Sequence, residues 1–330
     1  MSLRLRGFAM VAILLAGMPH ADAAATNLFR LGVPFPAGSK GMTDLQTAAR
    51  DILKTTGGRV QVKFVEQHDL DSGKMPCDGA MLAGPFLVRY SPAAMVYALP
   101  LLLRSSAEVA RLRTSLDAEV AAELDARGFA TIAQMDLGFA YIHSRAPVET
   151  VAQLKASKLW VPPTEPESIR AAESYCVTLV PLEATQVRDA LHQGTVDAAI
   201  IPPLGAILLQ WHTEIKNVED TPFVCLYAAV VLRKDALAAL EGPDKAVLRD
   251  DLARAFLAAA DDLRGKEYES LDVLAQNGVA RHPLGSTPEQ RAEWEVWAAA
   301  VADRLVAEGR IPAAVLGQAR QTLAEFRAKP

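Results

Sequence analysis

The sequence predicts an α/β protein built as two lobes, and three observations carry that reading. Segments of strand and helix character alternate along the chain, the pattern of sheets covered by helices and mainly parallel. Roughly 300 residues follow a leader-like N-terminus, more than one small core organises. Two long segments are unusual: residues 223–232 are an almost uninterrupted apolar run, and residues 243–277 carry few breakers. The first suits a strand buried on both faces that passes from one lobe to the other. The second, at about 1.5 Å per residue, is some 50 Å of helix, longer than one small lobe.

In chain order, residues 28–33 form the first strand candidate, followed by the turn formers Pro34, Pro36 and Gly38 and an amphipathic helix over 42–54. Residues 59–65 and 78–83 are the next strands. Helix 106–127 repeats Val109, Leu112, Leu116, Val120 and Leu124 at helical spacing and stops at Gly128. Strands at 129–135 and 139–143 meet at Gly138. A second unit opens near Pro147, with a short helix to Lys155, a strand at 158–161 and a helix after Pro162 and Pro163. Strand 177–181, helix 183–193, strand 198–201 and helix 204–211 complete it. After the apolar run, the long helix carries Val247, Leu248, Leu252, Phe256, Leu257, Ala260 and Leu263, with Gly265 marking a place to bend. Helices at 288–308 and 312–326 close the chain.

The N-terminus has Arg4 and Arg6, an apolar stretch from Phe8 to Met18, and the small-residue site Ala21-Asp22-Ala23. That is the layout of a secretory signal peptide, 1–23, cleaved near Ala23. About a dozen apolar residues fall short of the roughly 20 that span a bilayer; an uncleaved anchor is the alternative. The chain has 34 Lys and Arg against 39 Asp and Glu, a formal net charge of −5, and loss of the leader makes it one unit more acidic. A mildly acidic surface without a basic stripe argues against nucleic-acid binding. Cys77, Cys176 and Cys225 are too far apart for a CxxC metal or redox pair, so they read as small buried hydrophobes or, at most, one disulfide.

Chemistry that forces a residue spacing is missing from the sequence. There is no HExxH, no GxSxG elbow, no Walker loop and no GxGxxG after a strand, so the expectation is a non-enzyme with no catalytic residues, metal or cofactor. The polar loop at 66–73 lacks the closing Glu of an EF-hand. His68, His143, His192, His212 and His282 lie on different elements; a triad formed by convergence in space is the open alternative.

The segment 154–211 reads LKASKLWVPPTEPESIRAAESY, then TLVPLEATQVRDALHQGTVDAAIIPPLGAILLQW. It resembles the substrate-binding proteins of tripartite ATP-independent periplasmic (TRAP) transporters, in the pattern K-x-R-V-P and then P-x5-V-x2-A-L-Q-x-G-x-V-D-G-x3-P. Lys158, Val161 and Pro162 match its first part, and Pro181, Val187, Ala190, Leu191, Gly194, Val196, Asp197 and Pro202 its second. The run Ala98-Leu99-Pro100-Leu101-Leu102 and Arg127-Gly128-Phe129 extend the likeness. The resemblance implies a two-lobed periplasmic binding protein fold with crossing strands and a long bracing helix. Its lobes are 27–146 plus about 223–256 and 147–222 plus about 257–330. It also implies a periplasmic receptor that closes over a small organic solute and delivers it to the small and large membrane permease subunits of a TRAP transporter. A signalling or lipid-shuttling receptor, or less favoured an exported enzyme, are the other readings.

The departures from the pattern are specific. Trp160 stands where the family has a ligand-clamping arginine, Ile201 where it often has an asparagine, and Phe139 or Ala140 where a second arginine is common. Trp160, Ile200, Ile201, Pro203, Phe139 and Tyr141 are then expected to form an apolar or aromatic floor. Gln210, Trp211 and His212 offer polar tips beside it, and Trp160 is able to stack on a ring or a cation. Phe86 and Tyr227 read as core. The segment between Val65 and Asp78 is shorter than the family's, which opens the first-lobe side of the cleft.

Overall fold

A computed structural model of the chain describes residues 26–35, 37–66, 77–163 and 166–328. The leader, the polar loop at 67–73 and the rest of the shortened segment lie outside these residues. The strands are β1 (Asn27–Val33), β2 (Val60–Glu66), β3 (Gly79–Ala83), β4 (Phe129–Ser144), β5 (Lys158–Val161), β6 (Thr178–Pro181), β7 (Ala198–Ile201), β8 (Asn217–Glu219), β9 (Val224–Arg233) and β10 (Ala280–His282). The helices are α1 (Lys40–Thr55), α2 (Pro85–Val88), α3 (Ser106–Ala126), α4 (Val151–Ala156), α5 (Pro166–Glu173), α6 (Ala184–Gln193), α7 (Pro203–Leu208), α8 (Lys234–Ala238), α9 (Gly242–Gln276), α10 (Pro288–Ala307) and α11 (Ala313–Arg327).

Strand order explains the two lobes. The first sheet runs β2-β1-β3-β9-β4, and the second runs β6-β5-β7-β4-β8-β10, so β4 belongs to both. Within each lobe the βα units pair in parallel, β1 with β2 and β3, and β5 with β6 and β7. The crossing strands run the other way. β9 is antiparallel to β3 and β4, and β4 is antiparallel to β7 and β8, because the chain enters the second lobe along β4 and returns along β9. The sheets are therefore mixed rather than mainly parallel.

The two strands expected around Gly138 are one strand of 16 residues. Its pairing with β9 runs from Phe129 opposite Arg233 to Ala140 opposite Val224, and the register slips between Asp136 and Phe139. Gly138 sits in that slip at φ +91°, a backbone conformation glycine adopts without steric cost. The break legible in the sequence is thus a bulge that bends a continuous strand between lobes.

Local signals account for the helix ends. Ser105 caps α3 by accepting from the Glu108 amide, and α3 buries Val109, Leu112, Leu116, Val120 and Leu124 as the spacing predicts. Helix α9 spans 35 residues without a break at Gly265. A single glycine costs about 1 kcal/mol in a helix, and packing of α9 against α1, β4 and α7 outweighs it. The helix therefore braces elements of both sheets. The expected helix 204–211 ends sooner: α7 stops at Leu208, Gln210 turns at φ +58°, and Trp211–Thr213 forms a short 3-10 turn.

One core cluster, with Leu31, Val60, Met81, Val230, Leu252 and Phe256, fills the space between the first sheet, α1 and α9. A larger one runs from Leu82, Tyr97 and Tyr227 in the first lobe to Leu159, Val187 and Trp211 in the second, without a gap between lobes. Tyr227 is core, stacked on Tyr97 with both hydroxyls donating to Asp117. The last helix, α11, lies against α3, where the Arg327 guanidinium bonds both oxygens of Glu108 at 2.8 Å. Among the described residues no helix is long and apolar enough to cross a membrane. Cys77, Cys176 and Cys225 are free thiols, the first and last of them buried.

Candidate functional site

Alternation along β5 buries Leu159 and Val161 on one face and leaves Trp160 half-buried on the other. The register of β5 on β7 aligns Leu159 with Ala198, which sets Trp160 level with Ala199. Ala199 stands opposite His143 on β4, and Ile201 stands opposite Tyr141. Trp160, Ile201 and Tyr141 therefore share one face of the second sheet with His143. Trp211 packs onto that face, its ring edge-on to Trp160 with centroids 4.9 Å apart and planes at 81°.

The remaining candidates are placed differently. Ile200 pairs with Ile142 and, by the same alternation, points to the opposite face. Phe139 is buried where β4 enters the second sheet, and Pro203 is buried at the first position of α7. Gln210 is exposed in its left-handed turn, directly before Trp211. His212 is half-buried, with Nδ1 3.3 Å from the Ala206 carbonyl oxygen at the end of α7. Phe86 on α2, the first-lobe segment that meets α5, is half-buried and joins the same cluster as Trp160.

Hydrogen bonding separates the two tryptophans. The Trp160 indole N–H donates to the Leu182 carbonyl at 2.8 Å, fixing the ring against the end of β6. Trp211 is fully buried, and its indole N–H has no acceptor among the described residues. A buried donor left unmade costs about 1–3 kcal/mol. His143 is also completely buried; the Ile201 backbone is the polar group beside its ring, and among the described residues neither nitrogen makes a hydrogen bond of ordinary geometry. Burial lowers its pKa to about 4, against the opposing pull of the Ile201 backbone, so the ring is neutral at physiological pH.

Charge enters this region from α9. Glu267 is buried; one carboxylate oxygen accepts from the Phe139 amide at 2.8 Å and the other from the Tyr141 hydroxyl. Burial raises its pKa, and these two bonds oppose the rise. One turn earlier, Arg264 bonds Asp136 at 2.7 Å, and Arg113 approaches the same carboxylate to 3.7 Å. Sequence reading missed Glu267, which looks like any charge on a long polar helix. It also missed an aromatic seam of Tyr175, Phe223, Trp294 and Trp297, whose rings lie 5.4–6.1 Å from their neighbours. Trp294 and Trp297, three apart on α10, were a legible signal for part of it.

Among the described residues no group of three or more His, Cys, Asp or Glu is arranged to hold a metal ion. A cavity of about 150 Å³ lined by Arg170, Glu173, Ser174, Arg304, Glu308 and Arg310 contains none of the nine candidates. On the aromatic face Trp211, His143, Tyr141 and Ile201 are buried, and Trp160 is half-buried.

Known proteins share the sequence pattern and the fold. A 26% identical relative, a solute-binding protein of Verminephrobacter eiseniae (strain EF01-2), aligns over 244 residues, 70% of this chain and 71% of its own. The fold is shared with an extracytoplasmic solute receptor of Bordetella pertussis that binds pyroglutamic acid, at TM-score 0.75 and 18% identity over 90% of this chain and 99% of that one. It is shared too with a TRAP periplasmic solute-binding protein of Desulfovibrio salexigens with bound orotic acid, at TM-score 0.72 and 19% identity over 91% and 99%. The family model for bacterial extracellular solute-binding proteins, family 7, matches residues 40–308, and the family is one of solute binders rather than enzymes. With the TRAP pattern at 154–211, the two-lobed fold and this match in agreement, the chain belongs to family 7 of the bacterial extracellular solute-binding proteins, the solute receptors of TRAP transporters.

Proposed function

We propose that this receptor captures a small organic solute of apolar or aromatic character between its lobes and passes it to the small and large subunits of a TRAP permease. The observation that carries the ligand class is the replacement of polar anchors. By the resemblance at 154–211, Trp160 occupies the family's arginine position and Ile201 its asparagine position, and Trp160, Trp211, Tyr141 and Ile201 lie on one largely apolar face. Relatives of this fold carry pyroglutamic acid, orotic acid or sn-glycerol 3-phosphate, all of them anionic. The cation that shares this face by register, Arg281 on the edge strand β10, is paired with Asp272 at 3.3 Å, and the buried Trp211 N–H suits an uncharged acceptor.

The lobes of this proposal are residues 27–146 with about 223–256, and 147–222 with about 257–330. The leader 1–23 is removed near Ala23 during export, which fits the extracytoplasmic family. Ligand contacts made only in the closed state drive closure, and the protein performs no covalent chemistry. A thermal-shift screen of organic acids tests the ligand class. Aromatic or amphipathic solutes raise the melting temperature; strong stabilisation by simple dicarboxylates, with none by aromatic solutes, overturns the assignment.

A further inference from the structure

The crossing strands are the only sheet connection between the lobes among the described residues, so the geometry of β4 at its bulge sets how one lobe sits on the other. At that bulge a single side chain from another element enters the strand. Glu267 of α9 spans Gly138, holding the Phe139 amide with one oxygen and the Tyr141 hydroxyl with the other. The fit is close: a Cβ on Gly138 would lie far inside contact distance of the Glu267 carboxylate. On the first-lobe side of the bulge, Arg264 holds Asp136 from the preceding turn of α9. The long helix thus grips β4 immediately before and immediately after its bend, and the second grip includes two residues of the candidate site.

We propose that Glu267 is a positioning residue for ligand capture: it couples the bracing helix to the bend of the crossing strand and fixes the angle between the lobes. Phe139 resumes the pairing with β9 after the register slip, and its buried amide finds its acceptor in Glu267 rather than in the ladder. Glu267 supplies it from α9, which packs against α1 of the first lobe and α7 of the second. A shift of one lobe then moves the helix and the bend together. Tyr141, held by its hydroxyl, is kept in place beside Ile201 as part of the same constraint.

The inference rests on the receptor reading only in taking the crossing strands as the hinge, and its test uses the full mature chain without solute, so a failed ligand screen leaves the result readable. Spin labels are placed at the exposed Lys54→Cys and Lys155→Cys, one in each lobe, in a Cys176→Ser background that removes the exposed native thiol. Distance distributions are then measured by double electron–electron resonance for the parent, Glu267→Gln, Glu267→Ala and Tyr141→Phe. The near-isosteric Glu267→Gln keeps the fold, checked by near-ultraviolet circular dichroism, in case Glu267→Ala does not. The expected result is a broader distribution with a displaced mean for both Glu267 variants and a smaller displacement for Tyr141→Phe. Distributions identical to the parent's, accompanied only by a lower melting temperature, overturn the proposal.

Discussion

Trp160 is held from two directions, by the edge-on ring of Trp211 at 4.9 Å and by the carbonyl of Leu182, to which its indole N–H donates at 2.8 Å. An edge-to-face aromatic pair adds about 0.5–1.5 kcal/mol to the area it buries. Truncation to Trp160→Ala is expected to cost on the order of 3 kcal/mol, read by urea denaturation, since packing, pair and hydrogen bond go together. Trp160→Arg introduces the arginine that the resemblance at 154–211 implies for this position. In that variant, and not in the parent, C4-dicarboxylates are expected to raise the melting temperature; equal shifts in both argue against a ligand role for position 160.

The ion pair of Glu108 with Arg327 ties the end of the chain to the first lobe. Burial alone would raise the Glu108 pKa, but the Arg327 guanidinium and the Arg104 amide bring it below the ordinary carboxylate range. A depressed folded-state pKa contributes stability that is present above the unfolded value and lost as pH falls through the folded one. Glu108→Gln is expected to destabilise the protein at pH 7 by about 2 kcal/mol. Its deficit against the parent shrinks toward zero in denaturation curves taken below the ordinary carboxylate range.

Glu219 on β8 behaves in the opposite sense. It is fully buried; one oxygen accepts from the Val148 amide, and the other has no partner among the described residues. Burial, with Glu149 and Asp220 nearby, raises its pKa from 4.5 to about 7. The folded state therefore holds the proton more tightly than the unfolded chain, and its stability contribution is full below pH 4.5 and lost as pH rises through about 7. Each unit of such a shift is worth about 1.4 kcal/mol. Glu219→Gln, which keeps the shape and removes the charge, is expected to raise the melting temperature at pH 8 and leave it little changed at pH 4. A variant less stable than the parent at pH 8 rules this out.

The lobe-crossing role of the apolar run at 223–232 and the reach of the long helix were legible because each is a property of length and hydrophobicity along one segment. The floor of the candidate site was legible only in part. Trp160 and Trp211 are 51 positions apart in sequence and meet because β5 and β7 are neighbours, which the recurring βα pattern implied. Ile200 and Ile201 were grouped together, yet successive residues of a strand face opposite ways, and only the register says which one joins Trp160. Glu267 was invisible for a different reason. Nothing near it in sequence distinguishes a carboxylate that caps a strand 128 residues away from one that faces water. The end of α7 is another boundary the sequence hides: helical spacing runs through 211, whereas the chain leaves the helix after Leu208 and turns at Gln210 in the left-handed region.

Gly138 offers a way to separate backbone strain from contact with Glu267. At φ +91° an alanine pays for its conformation, about 1–3 kcal/mol, and its methyl group meets the Glu267 carboxylate as well. Removing that carboxylate takes away the second cost and leaves the first. The penalty of Gly138→Ala is therefore expected to be smaller in a Glu267→Ala background than in the parent, with a coupling of about 0.5–3 kcal/mol in a double-mutant cycle read by urea denaturation. In Glu267→Gln the side chain still fills the space, so the full penalty should return. Additive costs across the cycle mean that the carboxylate moves aside freely and that glycine is required at 138 for its backbone alone.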